Sequence, residues 1–388
     1  MWDVSITPEI KAELDAGAVV AIGVSGGKDS SAVAIRLVEY LDEIGHSGPR
    51  VLVHSDLGRV EWAESLPVCE RLAARLKMEL MVVRRNAGDL MARWETRWNN
   101  NVERYTNLSC VKVILPWSTP SMRFCTSELK TSVISASLVK RFPKQTILSV
   151  TGVRHDESAC RAKMPAVQVQ PKLCRKGVTG YNWNAIIGWK TEEVYAYLGE
   201  KNEPLHEAYS VYGASRVSCS YCFMASLADL QAATRCESNH PVYRNMVELE
   251  IKSSFAYQGN RWLGDVAPHL LTAESREGLI KAKANAAIRV EAEARLPKHL
   301  LYTAGWPTSI PTYDEAALLA EVRLVVAKTL DLGDIGCTTP REVQDRYIEL
   351  MQLAEVKNKG INKAILASMG IIQTVTQPQQ LDLFATAA

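Results

Sequence analysis

Residues 25–30, Ser25-Gly26-Gly27-Lys28-Asp29-Ser30, have the composition of a phosphate-binding loop. Adjacent glycines let backbone amides approach an anion, and Lys28 supplies a full positive charge. The six residues before the loop, 19–24, are β-branched or small and apolar, as in a buried parallel strand. After it, Ala34, Leu37, Val38 and Leu41 repeat at helical spacing, so a helix N-terminus adds its partial positive charge. Strand, glycine turn and helix start together predict a nucleotide phosphate as the guest. Lys28 is followed by Asp29 rather than Ser or Thr and the glycines are closely spaced, so the loop is not a Walker A element.

Four further places carry chemistry. Asp56 follows the second apolar run, residues 50–54, where open α/β sheets bind ligands; nucleotide contact and helix capping are both open to it. Cys125 opens a helical pattern ending near Arg141, with Arg123 and Lys130 beside it. Those surroundings favour a reactive or sulfur-carrying thiol, and a packed structural thiol is the alternative. Gly152, Arg154, Glu157 and Arg161 follow a fourth strand, residues 145–150. The glycine permits close approach, the arginines offer planar forks for phosphate or sulfate, and Glu157 orients them. Cys219 and Cys222 form a Cys-x-x-Cys pair. With Cys160 and Cys174 they would make four thiolates suited to an iron–sulfur cluster, and with Cys236 and His240 a set suited to Zn2+; two unligated thiols are the third reading.

These residues need a sheet to position them. Apolar runs at 19–24, 50–54, 78–83 and 145–150 alternate with helical patterns such as 61–76, whose stripe of Leu66, Cys69, Leu72, Ala73 and Leu76 places Cys69 in the core. The fold class is α/β, a doubly wound, mostly parallel sheet with a helical C-terminal extension. Trp94, Trp98 and Trp117 lie in a Trp- and Arg-rich stretch that suits either base stacking or cover over a cleft.

The loop resembles the SGGKDS loop of the ATP pyrophosphatases, a group that includes the PAPS reductases, tRNA thiolation enzymes and adenylating amidotransferases. Arg123-Phe124-Cys125-Thr126-Ser127-Glu128-Leu129-Lys130 resembles the R-[WF]-C-T-x-x-L-K element of the PAPS reductase family. Residues 152–161 resemble its G-x-R-x-x-E-S-x-x-R motif, and 183–194 its W-x-x-x-P-I-x-x-W-T-x-x-D-V region, with Ile186 at the usual proline and Thr191 as helix N-cap. Ser215-Arg216-Val217-Ser218-Cys219-Ser220-Tyr221-Cys222 resembles the S-R-x-x-C-x-x-C element of PAPS-reductase-like proteins, including the ATP-pyrophosphatase subunits of bacterial DNA phosphorothioation (Dnd or Ssp type).

The resemblance implies a HUP-like PP-loop domain over residues 1–215, a Cys-x-x-Cys element and helical region over 216–372, and a disordered tail over 373–388. It implies ATP with Mg2+ as ligand, with Ser25 to Ser30, Asp56, Gly152 and Arg154 around the nucleotide. Lys28, Asp29, Arg154, Arg161 and Cys125 are the catalytic candidates. The E-C-G-[LI]-H element of sulfonucleotide reductases is absent, and the last cysteine is Cys337, so reduction ranks below ATP pyrophosphatase chemistry. A nucleotide-binding assembly component without turnover is the third possibility.

Between Met122 and Gly177, eleven Lys or Arg stand against three acids, a local charge of about +8 within a chain of net +2. That suits a polyanion; the resemblance to the DNA phosphorothioation subunits implies DNA as the acceptor, with tRNA the alternative, and a cysteine desulfurase among the modification partners. The tail pentapeptide Gln380-Leu381-Asp382-Leu383-Phe384 resembles the Q-L-[SD]-L-F motif that docks on the bacterial sliding clamp. No apolar stretch spans a bilayer and Met1-Trp2-Asp3 lacks a basic signal start, so a cytoplasmic protein without membrane contact is expected.

Overall fold

A computed structural model describes residues 2–358; the tail at 373–388, with residues 380–384, lies outside the described residues. Six strands, β1 (Val19–Gly23), β2 (Arg50–Asp56), β3 (Glu79–Arg84), β4 (Ile147–Val150), β5 (Val167–Val169) and β6 (Tyr181–Trp183), form one sheet in the order β3-β2-β1-β4-β6-β5. All pairs are parallel except β5 with β6. The expected doubly wound, mostly parallel sheet is therefore present. β5 and β6 were not anticipated, because three residues are too few to show a period.

β1 is buried on both faces and divides its residues between two cores. Val20 and Ile22 pack with Leu52, Leu148 and Val150 beneath the helix α2 (Lys28–Glu43) and beside α1 (Pro8–Asp15). Val19 and Ala21 pack with Val51, Val53, Ile147 and Leu138 on the opposite side. Alternation with period two forces this division. Cys69, on the helix α3 (Ser65–Leu76), is fully buried in the first core, as its stripe requires.

β1 pairs β2 on one side and β4 on the other, so strand order reverses there and a crevice opens at the strands' carboxyl ends. Ile22 stands opposite Val150, which brings the loop after β1 and the loop after β4 to the same level. A Cβ at Gly152 would lie 2.6 Å from the Asp29 carbonyl oxygen and 2.7 Å from its carbon. The close approach read for Gly152 is thus to the loop's own backbone. Gly152→Ala is expected to cost about 2–3 kcal/mol in urea unfolding, since backbone cannot yield as a side-chain tip does. Wild-type stability in that variant would mean the two loops are not held in register here.

The described residues divide into two units, residues up to 99 with 115–286, and residues 100–114 with those from 287 onward. The second is helical, with Tyr313–Thr329 packed on Pro340–Asn358. Its fully buried Arg323 donates to the carbonyls of Tyr105, Thr106, Gly336 and Cys337, tying two chain segments together.

Candidate active site

The loop after β1 turns at Gly26, whose φ of +75° suits glycine and where a Cβ would press on Ser65 and His206. Gly27 then caps α2 without a side-chain bond. Ser30 Oγ closes the loop, donating to Gly27 O at 2.8 Å and accepting from Ser25 N at 3.2 Å. Lys28 is 6% exposed, and its ammonium lies 3.0 Å from Asp29 Oδ2 and between the rings of Tyr195 and Tyr209, at 5.7 and 5.6 Å. The aromatic faces and the carboxylate hold a charge that burial alone would expel.

Asp29 faces a second cation. Its Oδ1 accepts from Arg154 Nε at 2.8 Å, and Arg154, 2% exposed, also donates to Asp156, the Trp189 carbonyl and Thr191 Oγ1. Arg154 therefore braces the loop after β1 to β4 and to the helix Thr191–Glu200. Glu157 accepts from Arg154 N at 2.9 Å and pairs with Arg161, so it orients both arginines. Thr191, expected to cap its helix, is instead the first helical residue. Asp156 accepts its N–H at 3.0 Å and hydroxyl at 2.8 Å, bonds that draw the Asp156 carboxyl below its usual range. Asp56 ends β2 and accepts from Gly58 N at 2.7 Å, with Arg84 at 3.4 Å, which is a turn-forming role.

The end of β2 connects this loop to the cysteines. Ser55 Oγ donates to Leu129 O at 2.6 Å, in a π-helical turn (Ser127–Thr131) directly after the short helix that carries Cys125. Just beyond β2, Val60 O accepts both the N–H and the hydroxyl of Ser220, inside the Cys-x-x-Cys element. Tyr209 Oη accepts from Lys28 N at 3.3 Å and from Val217 N at 3.1 Å, a second tie between loop and element. Burial and the neighbouring Cys222 push the Cys219 thiol up, Lys130 opposes, and Glu61 and Cys125 add to the rise. The same three cysteines act on the buried Tyr257. Cys125 thus lies within electrostatic reach of Cys219 and Cys222, a proximity that ninety-odd intervening residues concealed in the sequence.

The two suggested ligand sets are not assembled. Cys160 is exposed, Cys174 donates to Gln170 O at 3.4 Å, Cys236 lies 3.1 Å from Ser238 Oγ, and His240 Nε2 lies 2.9 Å from Thr234 O. Cys174, Cys236 and His240 are each engaged within their own turns. Among the described residues no group of three or more His, Cys, Asp or Glu is arranged to hold a metal ion.

The tryptophans are equally changed in role. Trp94, Trp98 and Trp117 are at most 2% exposed, which excludes base stacking. Trp94 and Trp117 meet edge to face, and Trp117 meets Tyr257 at 4.9 Å, forming a buried aromatic cluster. The basic segment is partly neutralised as well, with Arg141 on Glu79, Arg161 on Glu157 and Arg175 on four backbone carbonyls.

His54, on β2, is the feature least visible in the sequence. It is 1% exposed, with Nδ1 3.1 Å from Val24 O and Nε2 3.1 Å from Glu61 Oε2. A carbonyl only accepts, so Nδ1 carries a proton, and the carboxylate calls for another on Nε2. Burial opposes the charge, but the neighbouring Cys69 and Glu61 outweigh it and push the imidazole up to about 10. A raised folded value stabilises fully below the unfolded value near 6.5 and is lost as pH rises toward 10. Wild-type stability should therefore decline across that window by on the order of 3 kcal/mol, and His54→Gln should flatten the decline. Parallel pH curves for the two proteins, from denaturant melts, would remove the charged pair.

A glycine loop on a helix N-terminus at the switch point of an open sheet defines a nucleotide-binding α/β protein. Residues 19–224, more than half of the chain, match the phosphoadenosine phosphosulfate reductase domain, and the chain belongs to that family. No curated protein of related sequence matches it. Among solved structures it is similar to a phosphoadenylyl-sulfate (PAPS) reductase from Candida auris at 13% identity, over 56% of this chain and 97% of that one, with TM-score 0.34. A U34-tRNA thiolase from Methanococcus maripaludis with its [4Fe-4S] cluster is similar at 16% identity, over 60% and 72%, with TM-score 0.33. An NH3-dependent NAD synthetase from Campylobacter jejuni is similar at 14% identity, over 73% and 89%, with TM-score 0.29. Among the described residues no helix is long and apolar enough to cross a membrane.

Proposed function

We propose that the chain is an ATP pyrophosphatase that adenylates an acceptor for sulfur insertion, with DNA phosphorothioate formation the favoured setting. The observation that carries this reading is the physical link between loop and thiols: Tyr209 bonds Lys28 and Val217, and Ser55 and Val60 at the end of β2 hold the elements of Cys125 and Cys219. A phosphate site joined to cysteines suits a reaction that activates an oxygen and then replaces it with sulfur.

In that reaction an acceptor oxygen attacks the α-phosphorus of Mg2+-bound ATP, the α–β bridge breaks, and pyrophosphate leaves. Persulfide sulfur passed from a cysteine desulfurase to one of the thiols then attacks the adenylated centre and displaces AMP; a second thiol attacks the resulting mixed disulfide, leaving the acceptor thiolated and a protein disulfide that an external thiol reductant reopens. Lys28 and the amides at the start of α2 hold the β- and γ-phosphates, while Asp29 and Arg154 keep the loop in shape. Cys125, Cys219 and Cys222 are the thiols that carry and release this sulfur.

The test is a product analysis of ATP and Mg2+ with the full chain purified anaerobically, with and without DNA, beside PAPS with a thioredoxin reductant. AMP and pyrophosphate without sulfite support the reading. Sulfite from PAPS would replace it with reduction, and nucleotide binding without products would replace it with an assembly role.

A further inference from the structure

Directly after Cys222 the surface opens into a pocket of about 530 Å³, lined by Phe223, Met224, Ala225, Gln258, Asn260 and Arg261. That volume is within the range that accepts a nucleotide-sized ligand. Its frame is rigid. Glu250, fully buried, accepts from the N–H groups of Tyr257, Leu263 and Gly264 at 2.7, 2.7 and 3.0 Å, which pins both ends of the 258–261 hairpin. Within the hairpin, Gln258 and Arg261 exchange backbone bonds across Gly259, whose φ is +60°. The Gln258 amide donates to the carbonyls of Phe223 and Ala225 and accepts from Arg261 at 2.8 Å, so the two walls are tied together.

The lining has one sign of charge and no carboxylate. Met224 is 43% exposed although apolar, beside half-buried Phe223, so the pocket lining includes accessible apolar side chains. Among the described residues the Asn260 amide makes no protein hydrogen bond, and Arg261 spends only one nitrogen on Gln258. Accessible apolar side chains, an amide able to donate and accept, and a guanidinium are what an unstacked base and its phosphate require. An acidic protein segment would use the cation but would leave the apolar side chains and the amide unmatched.

We propose that this pocket seats an unpaired base of single-stranded nucleic acid, with the adjoining phosphate on Arg261, so that the acceptor is presented beside Cys222. This rests on the acceptor being nucleic acid in the function proposed above. The probes are short fluorescein-labelled single strands of deoxythymidine and of uridine, and the matching duplex, read by anisotropy across a salt series with the full chain. Met224→Ala and Arg261→Ala should each weaken single-strand binding about tenfold, and Arg261→Ala should reduce the salt slope by about one. Both positions are at the surface, and melting curves check that the variants fold. The tighter of the two strands identifies the acceptor as DNA or RNA.

Unchanged affinity in both variants overturns the proposal, as does wild-type binding of duplex as tight as that of single strand. Lys28→Ala separates the two ideas, because it should lose pyrophosphate release and keep strand affinity. Variants that lose the strand in a protein that never forms pyrophosphate would leave the pocket standing and sink the adenylation reading. Pyrophosphate release with normal strand binding in the pocket variants would do the reverse.

Discussion

Lys28→Ala is expected to lower pyrophosphate release from ATP by about two to three orders of magnitude, the usual consequence of deleting one preorganised charge at a developing anion. The Lys28 ammonium is buried against Asp29, Tyr195 and Tyr209, and its backbone N–H is already satisfied by Tyr209, so alanine keeps the loop's main-chain bond and removes only the charge. Asp29 retains Arg154 in the variant and is not left unpaired. Thermal stability should therefore change little while turnover collapses. Release of pyrophosphate at the wild-type rate would remove Lys28 from the chemistry.

Arg154→Ala should show the opposite balance, with stability failing first. The guanidinium is 2% exposed and bonds to Asp29, Asp156, the Trp189 carbonyl and Thr191, so its loss removes four interior bonds at once and leaves Asp29 with Lys28 alone. Removing one partner of such a buried pair costs about 3–5 kcal/mol. Arg154→Lys keeps the charge but not the fork, and should recover part of that stability through Asp29 alone. Denaturant melts of both variants decide the matter: equal stability of Arg154→Ala and wild type would show that the loops after β1 and β4 are held by something other than this brace.

The two variants divide roles that the motif pattern merges. Both residues belong to motifs that resemble phosphate-binding elements, and their shared cationic character hides that one faces a crevice and the other the interior. A motif specifies which side chain is present, while burial decides what its donors can reach.

By itself the sequence determined the parts of this protein that depend on local spacing. The apolar run before Ser25, the glycine turn and the helical stripe after it specify β1, the loop and α2 because strand and helix periods are properties of neighbouring residues. The helical C-terminal extension was legible for the same reason, and it includes Leu227–Thr234 and Ala273–Ala294. The tertiary structure alone decided which distant groups meet. It brought Cys125 within electrostatic reach of Cys219 and Cys222, left Cys160 exposed and held Cys174, Cys236 and His240 in their own turns, buried three tryptophans, and set His54 between Val24 and Glu61. None of these follows from periodicity, because each depends on strand order and on loops crossing at one edge of the sheet, where residues far apart in the chain compete for the same buried hydrogen bonds.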